Sequence, residues 1–476
     1  MATAPNWNFG DILDGLDASF PGDAPALIHA DRVTTWRDIG RRSNNLARAF
    51  AARGAVPGDK VAFYLRNRPE YSEALAACFK ARLVQVNVNY RYLDEELWYI
   101  LDNSDAKIVL FDAEFADRVA HLRPRLPRVA AWIQVGDGPP SGEAYEALAE
   151  GGDGRAIREA LERIDAVWEL ARRHPDRIAV ATDVAGIRRG VAEGKLVSLL
   201  GVEGGHMIEN KLSVLRDFYR LGVRYMTLTH AFHTDWADSA GMNATALPPS
   251  HGGLTPFGVE VVHEMNRLGM MVDVSHVSDG TFWDALRASQ APVIASHSAC
   301  RAVFDHPRNL SDEMLRALAA KGGVVMINYY SGYTDPAAAP KIAAWFTRHG
   351  AEFTALREKY AGDLRGMAQA MKAIAAADPV PQGSLHALLD HFDHALRVAG
   401  EDHVGLGSDF DGVASFPVGL DEVNLLPNLT RGLLARGWSE EVVRKVLGEN
   451  LLRTMREVEL AAERIRSEPA APPSPR

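Results

Sequence analysis

Cysteine is nearly absent: Cys78 and Cys300 are the only two among 476 residues. Two isolated thiols build neither a disulfide framework nor a cysteine-based zinc cluster, and they fit a reducing, cytoplasmic setting. Positive charge is also short. The 52 basic residues face 62 acidic ones, a net charge of -10 with no basic stripe, so nucleic acid is not an expected partner. No apolar run approaches the roughly 18 residues that a membrane span needs. The stretch Met1 to Asp11 has no basic n-region and no apolar h-region, and the chain shows no lipid-anchor signal. Neither secretion nor membrane attachment is therefore expected. Apolar residues make up 47%, ample for a core, and the length points to two or three domains. No internal repeats are visible.

Short apolar runs that end in polar residues organise the second half. Leu196–Val202 ends in Glu203, Gly204, Gly205 and His206. Val223–Leu228 ends in Thr229 and His230, Met270–Val274 in Ser275 and His276, Val293–Ala295 in Ser296 and His297. Val404–Gly407 ends in Ser408 and Asp409. Buried strands alternating with amphipathic helices predict a parallel sheet with helical crossovers. When such a sheet closes into a barrel, the chemistry sits at the carboxyl ends of the strands. A lone histidine there is more often structural, but five metal-type residues at equivalent ends point to a site. Glu, His and Asp suit a hydrolytic zinc centre, because zinc takes imidazole and carboxylate ligands and brings the pKa of its water to about 7.

These residues stand in longer motifs. Leu200-Gly201-Val202-Glu203-Gly204-Gly205-His206, Thr229-His230, Asp273-Val274-Ser275-His276, Ser296-His297-Ser298, Arg308-Asn309 and Gly407-Ser408-Asp409-Phe410-Asp411-Gly412 resemble the membrane (renal) dipeptidase family over about residues 153–463. The resemblance implies a (β/α)8 barrel, two zinc ions sharing a bridging Glu and water, and a dipeptide substrate. It makes Glu203 the bridge, and His276 and His297 the other ligands of one zinc. Asp409 becomes a ligand of the second zinc and a proton carrier, His230 steadies the oxyanion, and Arg308 grips the dipeptide carboxylate. A surface ion pair is the plain alternative for Arg308. His206 is read as orienting its loop and Asp411 as bracing the Asp409 turn.

Seven strand candidates can be counted: Ile178–Ala181, Leu196–Val202, Val223–Leu228, Met270–Val274, Val293–Ala295, Val324–Asn328 and Val404–Gly407. The family barrel needs eight. Its first strand, which ends in a His-x-Asp pair completing the second zinc, has no counterpart between Gly136 and Leu196. His29-Ala30-Asp31, His233-Thr234-Asp235 and the His391-Phe392-Asp393-His394 run match in spelling, but a hairpin turn, a loop and a solvated helix face are the readier explanations. The fold expected is α/β: a TIM-type barrel lacking its first strand, preceded by a small α/β fragment.

That fragment, residues 1–137, carries predicted strands at Lys60–Leu65, Leu83–Val88, Lys107–Phe111 and Ala131–Val135. Helices are predicted at Trp36–Arg53, Glu70–Lys80 and Asp94–Leu101. Its motifs Pro57-Gly58-Asp59-Lys60-Val61-Ala62, Asn67-Arg68-Pro69-Glu70-Tyr71 and Asn87-Val88-Asn89-Tyr90-Arg91-Tyr92 resemble the opening of the acyl-CoA synthetase, or adenylate-forming, family. The match stops near Asp137. The glycine-rich phosphate loop and catalytic lysine domain of that family have no counterpart, so no adenylation is expected. Residues 138–154, rich in Gly and Pro, read as a linker, 155–466 as the barrel, and the Pro-rich 467–476 as a disordered tail.

The expected function is zinc-dependent dipeptide hydrolysis, weakened by the missing ligand pair, with one tight zinc. A homodimer is an allowed assembly. Two other readings stay open: a mononuclear hydrolase of N-acyl amino acids or lactones, and a catalytically inactive fusion product.

Overall fold

The computed structural model describes residues 8–19, 24–30, 32–150, 154–242, 246–360 and 364–467. The chain divides into two compact units, 1–160 with 208–211, and 161–207 with 212–476. Asp31, part of the Gly-rich segment and the Pro-rich tail lie outside the described residues.

In the first unit a hairpin, β1 (Pro25–His29) and β2 (Arg32–Thr35), precedes a five-stranded sheet. The sheet holds β3 (Lys60–Tyr64), β4 (Val84–Asn87), β5 (Ala106–Asp112), β6 (Ala131–Val135) and β7 (Glu143–Ala144), in the order β4-β3-β5-β6-β7. Every pairing in it is parallel. Parallel strands are buried on both faces, and the alternation shows it. Val61, Phe63, Ile108, Leu110 and Ile133 join one core with Leu46, Phe50 and Ala74. Ala62, Tyr64, Val109, Phe111 and Trp132 join the other with Leu97, Leu101 and Val119.

The stretch read as a linker is partly folded. Glu143–Ala144 adds β7, and a helix follows at Tyr145–Glu150. Tyr145 is buried, and its hydroxyl donates to Glu73 Oε2 at 2.9 Å. Arg42, itself buried, spans Glu73 at 2.7 Å and Glu146 at 2.9 Å. These partners lie 72 and 104 residues away along the chain, which is why local composition concealed the element.

The second unit is a curled, open sheet of seven parallel strands. They are β8 (Ile178–Ala181), β9 (Leu196–Glu203), β10 (Val223–Thr227), β11 (Met271–Asp273), β12 (Val293–Ser298), β13 (Val324–Asn328) and β14 (Val404–Gly407). They pair in sequence order, and no strand among the described residues closes β8 onto β14. All seven expected strands are present and the barrel lacks its closing member. β8 pairs only with Leu196–Leu199, so the carboxyl half of β9 has β10 as its sole strand neighbour. Ser and Thr residues start the crossover helices: Thr255, Ser278, Ser311, Ser384 and Ser439 each accept a backbone N–H of the first turn.

The last helix, Asn450–Ser467, crosses the amino end of the sheet. Thr454 Oγ1 and Arg453 Nη1 donate to Gly322 O, and Asn450 Nδ2 donates to Val404 O. Met455, Val458 and Ala461 pack on Met271, Ile294, Val324 and Met326. The carboxyl ends remain as the accessible mouth. The insertion after β13 carries helices at Ser331–Thr334, Ala339–Arg348, Gly350–Lys359 and Leu364–Ala377.

Candidate metal centre

Four strands deliver the site from their carboxyl ends. Glu203 ends β9, where Gly204 at φ 113° turns the chain away, and a Cβ there would fall 2.5 Å from the His206 ring. His276 follows β11, His297 lies in β12 and Asp409 follows β14. Gly407 lets β14 approach its neighbours, since a Cβ would meet Ser296 O at 2.5 Å and Met326 O at 2.7 Å. His276, Asp409 and Asp411 hold left-handed backbone at φ 66°, 58° and 67°. Such conformations cost non-glycine residues free energy and cluster at functional sites.

Three donor atoms converge. His276 Nε2 is 3.1 Å from Glu203 Oε1, His297 Nε2 is 3.0 Å from the same oxygen, and the two nitrogens are 2.8 Å apart. Tetrahedral zinc with bonds near 2.0–2.1 Å needs ligand atoms roughly 3.3 Å apart, so a small outward movement fits the ion. The protonation states suit it as well. Burial first, then the nearby charge of Arg308, holds His276 well below the usual histidine range, so it is a neutral imidazole. Burial alone would raise Glu203, but the imidazoles of His276 and His297 beside its Oε1 outweigh it and keep it a carboxylate. The histidines are 3% and 8% exposed, while the Glu203 side chain is 45% exposed beside the half-paired β9. His230 belongs to the same cluster: a ring nitrogen of it, a Glu203 oxygen and a His276 nitrogen lie within 4.8 Å of one another. Burial lowers its pKa too, and its ring sits 4.6 Å from that of His276.

Asp409 shares a cavity of about 290 Å³ with Glu203 and His297, walled below by Tyr225, Met271 and Met326. Its Oδ2 accepts from Asn328 Nδ2 at 3.2 Å. Burial raises its pKa, a direction that suits a group that takes up and releases a proton. Arg308 is 3% exposed, which rules out the surface ion-pair alternative. Its Nη2 donates to His297 O at 3.3 Å, its guanidinium lies 5.4 Å over the Tyr333 ring, and its Nε is buried without a partner.

Two of the other spellings, at His233 and at His391, are engaged elsewhere. His233 has both ring nitrogens engaged, with Ser239 N at 2.9 Å and Pro248 O at 3.0 Å. His391 is fully buried, contrary to the solvated face expected of it. It accepts from Cys300 N and reaches Thr334 O, a structural link. His29 is in the β1 hairpin of the first unit, and Asp31 lies outside the described residues. Asp273, Ser296, Asn328 and Tyr333 were given no role from sequence. Asp273 and Ser296 stood inside the quoted motifs as flanking letters.

Two family sequence models match the chain, over stretches that overlap at residues 136–186. Residues 136–469 match the sequence model of the membrane dipeptidases, peptidase family M19. Residues 17–186 match that of the AMP-binding enzymes. Dipeptidase 3 of Homo sapiens is 37% identical over 316 residues, covering 66% of this chain and 55% of that protein. Dipeptidase 3 of Mus musculus is 37% identical over 312 residues, with 66% and 54% covered. The chain thus spans about half the length of the curated relatives it matches. Among solved structures, the probable dipeptidase PvdM from Pseudomonas aeruginosa superposes with a TM-score of 0.55 at 27% identity, over 70% of this chain and 87% of that one. A metallo peptidase from Rhodobacter sphaeroides, liganded with a phosphinate mimic of the dipeptide L-Ala-D-Ala, superposes at 0.51 with 24% identity, over 73% and 97%. The latter likeness concerns the fold.

Proposed function

The chain belongs to the membrane dipeptidase family, and from that premise we propose that its barrel, residues 155–466, hydrolyses dipeptides with zinc held by Glu203, His276 and His297. The observation that carries this reading is the triangle of one carboxylate oxygen and two imidazole nitrogens at 2.8–3.1 Å. When bound, zinc supplies Lewis-acid activation of water near neutral pH. The chain's own groups do the rest. Glu203 stays ionised and orients the attacking water from the exposed side of the cluster. His230, neutral and beside His276, is placed to donate to the oxygen on which charge develops. Asp409 passes a proton through its carboxylate to the leaving amine. Arg308 pairs its fork with the free carboxylate of the substrate, which limits length to two residues.

Hydrolysis of a panel of dipeptides, N-acyl amino acids and lactones tests the reading. Turnover is expected for dipeptides, and turnover confined to either other class would sink it. Arg308→Ala is expected to raise KM about 10- to 100-fold, the weight of a charged hydrogen-bonded pair, while kcat changes far less. An unchanged KM would remove Arg308 from the substrate site. No helix among the described residues is long and apolar enough to cross a membrane. Both cysteines are free and buried, which supports placing the activity in a reducing, cytoplasmic compartment.

We further propose that the first unit makes no acyl-adenylates, although it matches the AMP-binding enzymes. Its sequence carries no glycine-rich loop to cradle a triphosphate. Pyrophosphate exchange driven by ATP and a panel of carboxylic acids is expected at background level. Exchange above background would overturn this.

A further inference from the structure

Behind the metal cluster lies a carboxylate with no counter-charge. Asp273, at the end of β11, is fully buried, and no Lys, Arg or His among the described residues pairs with it. Four neutral donors satisfy it. Ser275 N at 3.0 Å and Ser296 N at 2.8 Å reach Oδ1. Thr227 Oγ1 and Ser296 Oγ, both at 2.6 Å, reach Oδ2. Ser296 Oγ also lies 2.7 Å from His297 Nδ1.

The 2.6 Å contact to Asp273, shorter than those to His297 at 2.7 Å and to Ser275 Oγ at 3.3 Å, assigns the Ser296 proton. A carboxylate only accepts, and a serine hydroxyl has one proton. Ser296 spends that proton on Asp273, so toward His297 it can only accept. His297 must therefore carry its hydrogen on Nδ1 and present a bare Nε2 to Glu203 and His276. The 2.8 Å contact between the two imidazoles agrees, because without metal it needs one donor and His276 Nε2 supplies it, a hydrogen that must leave this nitrogen when zinc binds there. His276 Nδ1 is buried without a partner, as an unprotonated nitrogen there would be. His276 thus has no equivalent brace.

We propose that Asp273 and Ser296 are positioning residues for the metal: the carboxylate, acting through the hydroxyl, locks His297 in its Nδ1–H form and aims the Nε2 lone pair at the ion. This rests on the zinc reading above. A group that orients a ligating histidine in this way is worth about 10- to 100-fold in metal affinity. The bound cation also gives the buried Asp273 charge the partner it lacks.

Two measurements on the full chain test it. Zinc affinity is read by competition with a chelating dye. The histidine tautomer is read by nitrogen-15 NMR on histidine-labelled, metal-free protein, with His297→Gln assigning the signal. Ser296→Ala is expected to weaken zinc binding about 10- to 100-fold, with Ser296→Thr restoring most of it. In Asp273→Asn the amide donates to Ser296, whose proton turns to His297. The signal should switch to the Nε2–H form, a change that a merely structural role would not produce. Ser296→Ala removes only a hydroxyl and keeps the test open if Asp273→Asn does not fold. Wild-type zinc affinity in Ser296→Ala, or an Nδ1–H signal kept in folded Asp273→Asn, overturns the relay. A wild-type chain that takes up no zinc yet shows Nδ1–H at His297 sinks the zinc reading and leaves the relay standing.

Discussion

Alanine at His276 or at His297 is expected to strip the chain of its tightly held zinc and of about a thousandfold of its hydrolytic rate, the weight of several kcal/mol of metal-based stabilisation. Each substitution removes one of three donors from a triangle whose sides are 2.8–3.1 Å. What remains is one imidazole and one carboxylate, a poor shell for zinc. The loss should exceed that of Ser296→Ala, which leaves all three donors in place. Metal analysis after dialysis and steady-state assays on the same samples provide the check. A His297→Ala protein that keeps both its zinc and its rate would remove His297 from the centre. Both histidines are buried, so thermal melting of the metal-free variants must accompany the assays. A folded variant without zinc carries the prediction, whereas an unfolded one shifts it to His297→Gln, which keeps more of the volume.

The seven strands of the barrel were legible because parallel strands buried on both faces read as apolar runs. The residues that end them were legible because the chemistry of such a sheet gathers at its carboxyl edge. What escaped the sequence depends on partners far along the chain. Asp273 and Ser296 are polar letters in apolar strands until β11 and β12 lie side by side and their side chains meet. His391 has a helical spacing that fits a wet face. Its burial and its bonds to Cys300 N, 91 residues away, and to Thr334 O show that it is core. The segment at 143–150 has the glycine and proline of a linker nearby, yet Tyr145 and Glu146 are fastened by Arg42 and Glu73. In each case local composition was outweighed by a buried polar contact that cannot be left unsatisfied.

The open edge of the sheet is expected to set the metal count. In the family that this chain belongs to by sequence, the resemblance assigns a second zinc to a first-strand His-x-Asp pair, and no strand among the described residues stands in that position. Glu203 and Asp409 remain as its donors, two carboxylates without an imidazole, and such a set holds zinc poorly. Asp409 is further committed to Asn328 and is pushed by burial toward its protonated form, which competes with metal. The further imidazole of the cluster, His230, faces His276 and is assigned above to the oxyanion. His233, the loop candidate, has both nitrogens occupied. The chain is therefore expected to keep about one zinc through dialysis and to hydrolyse dipeptides weakly, because a clamp of two metals on water and carbonyl is lost. Excess zinc or manganese should recover part of the rate by loading the second position from solution. Native mass spectrometry reads the stoichiometry directly. Two tightly held metals per chain with full activity as isolated would refute the count, and would require His230 or a rearranged His233 loop to have taken the place of the missing ligands.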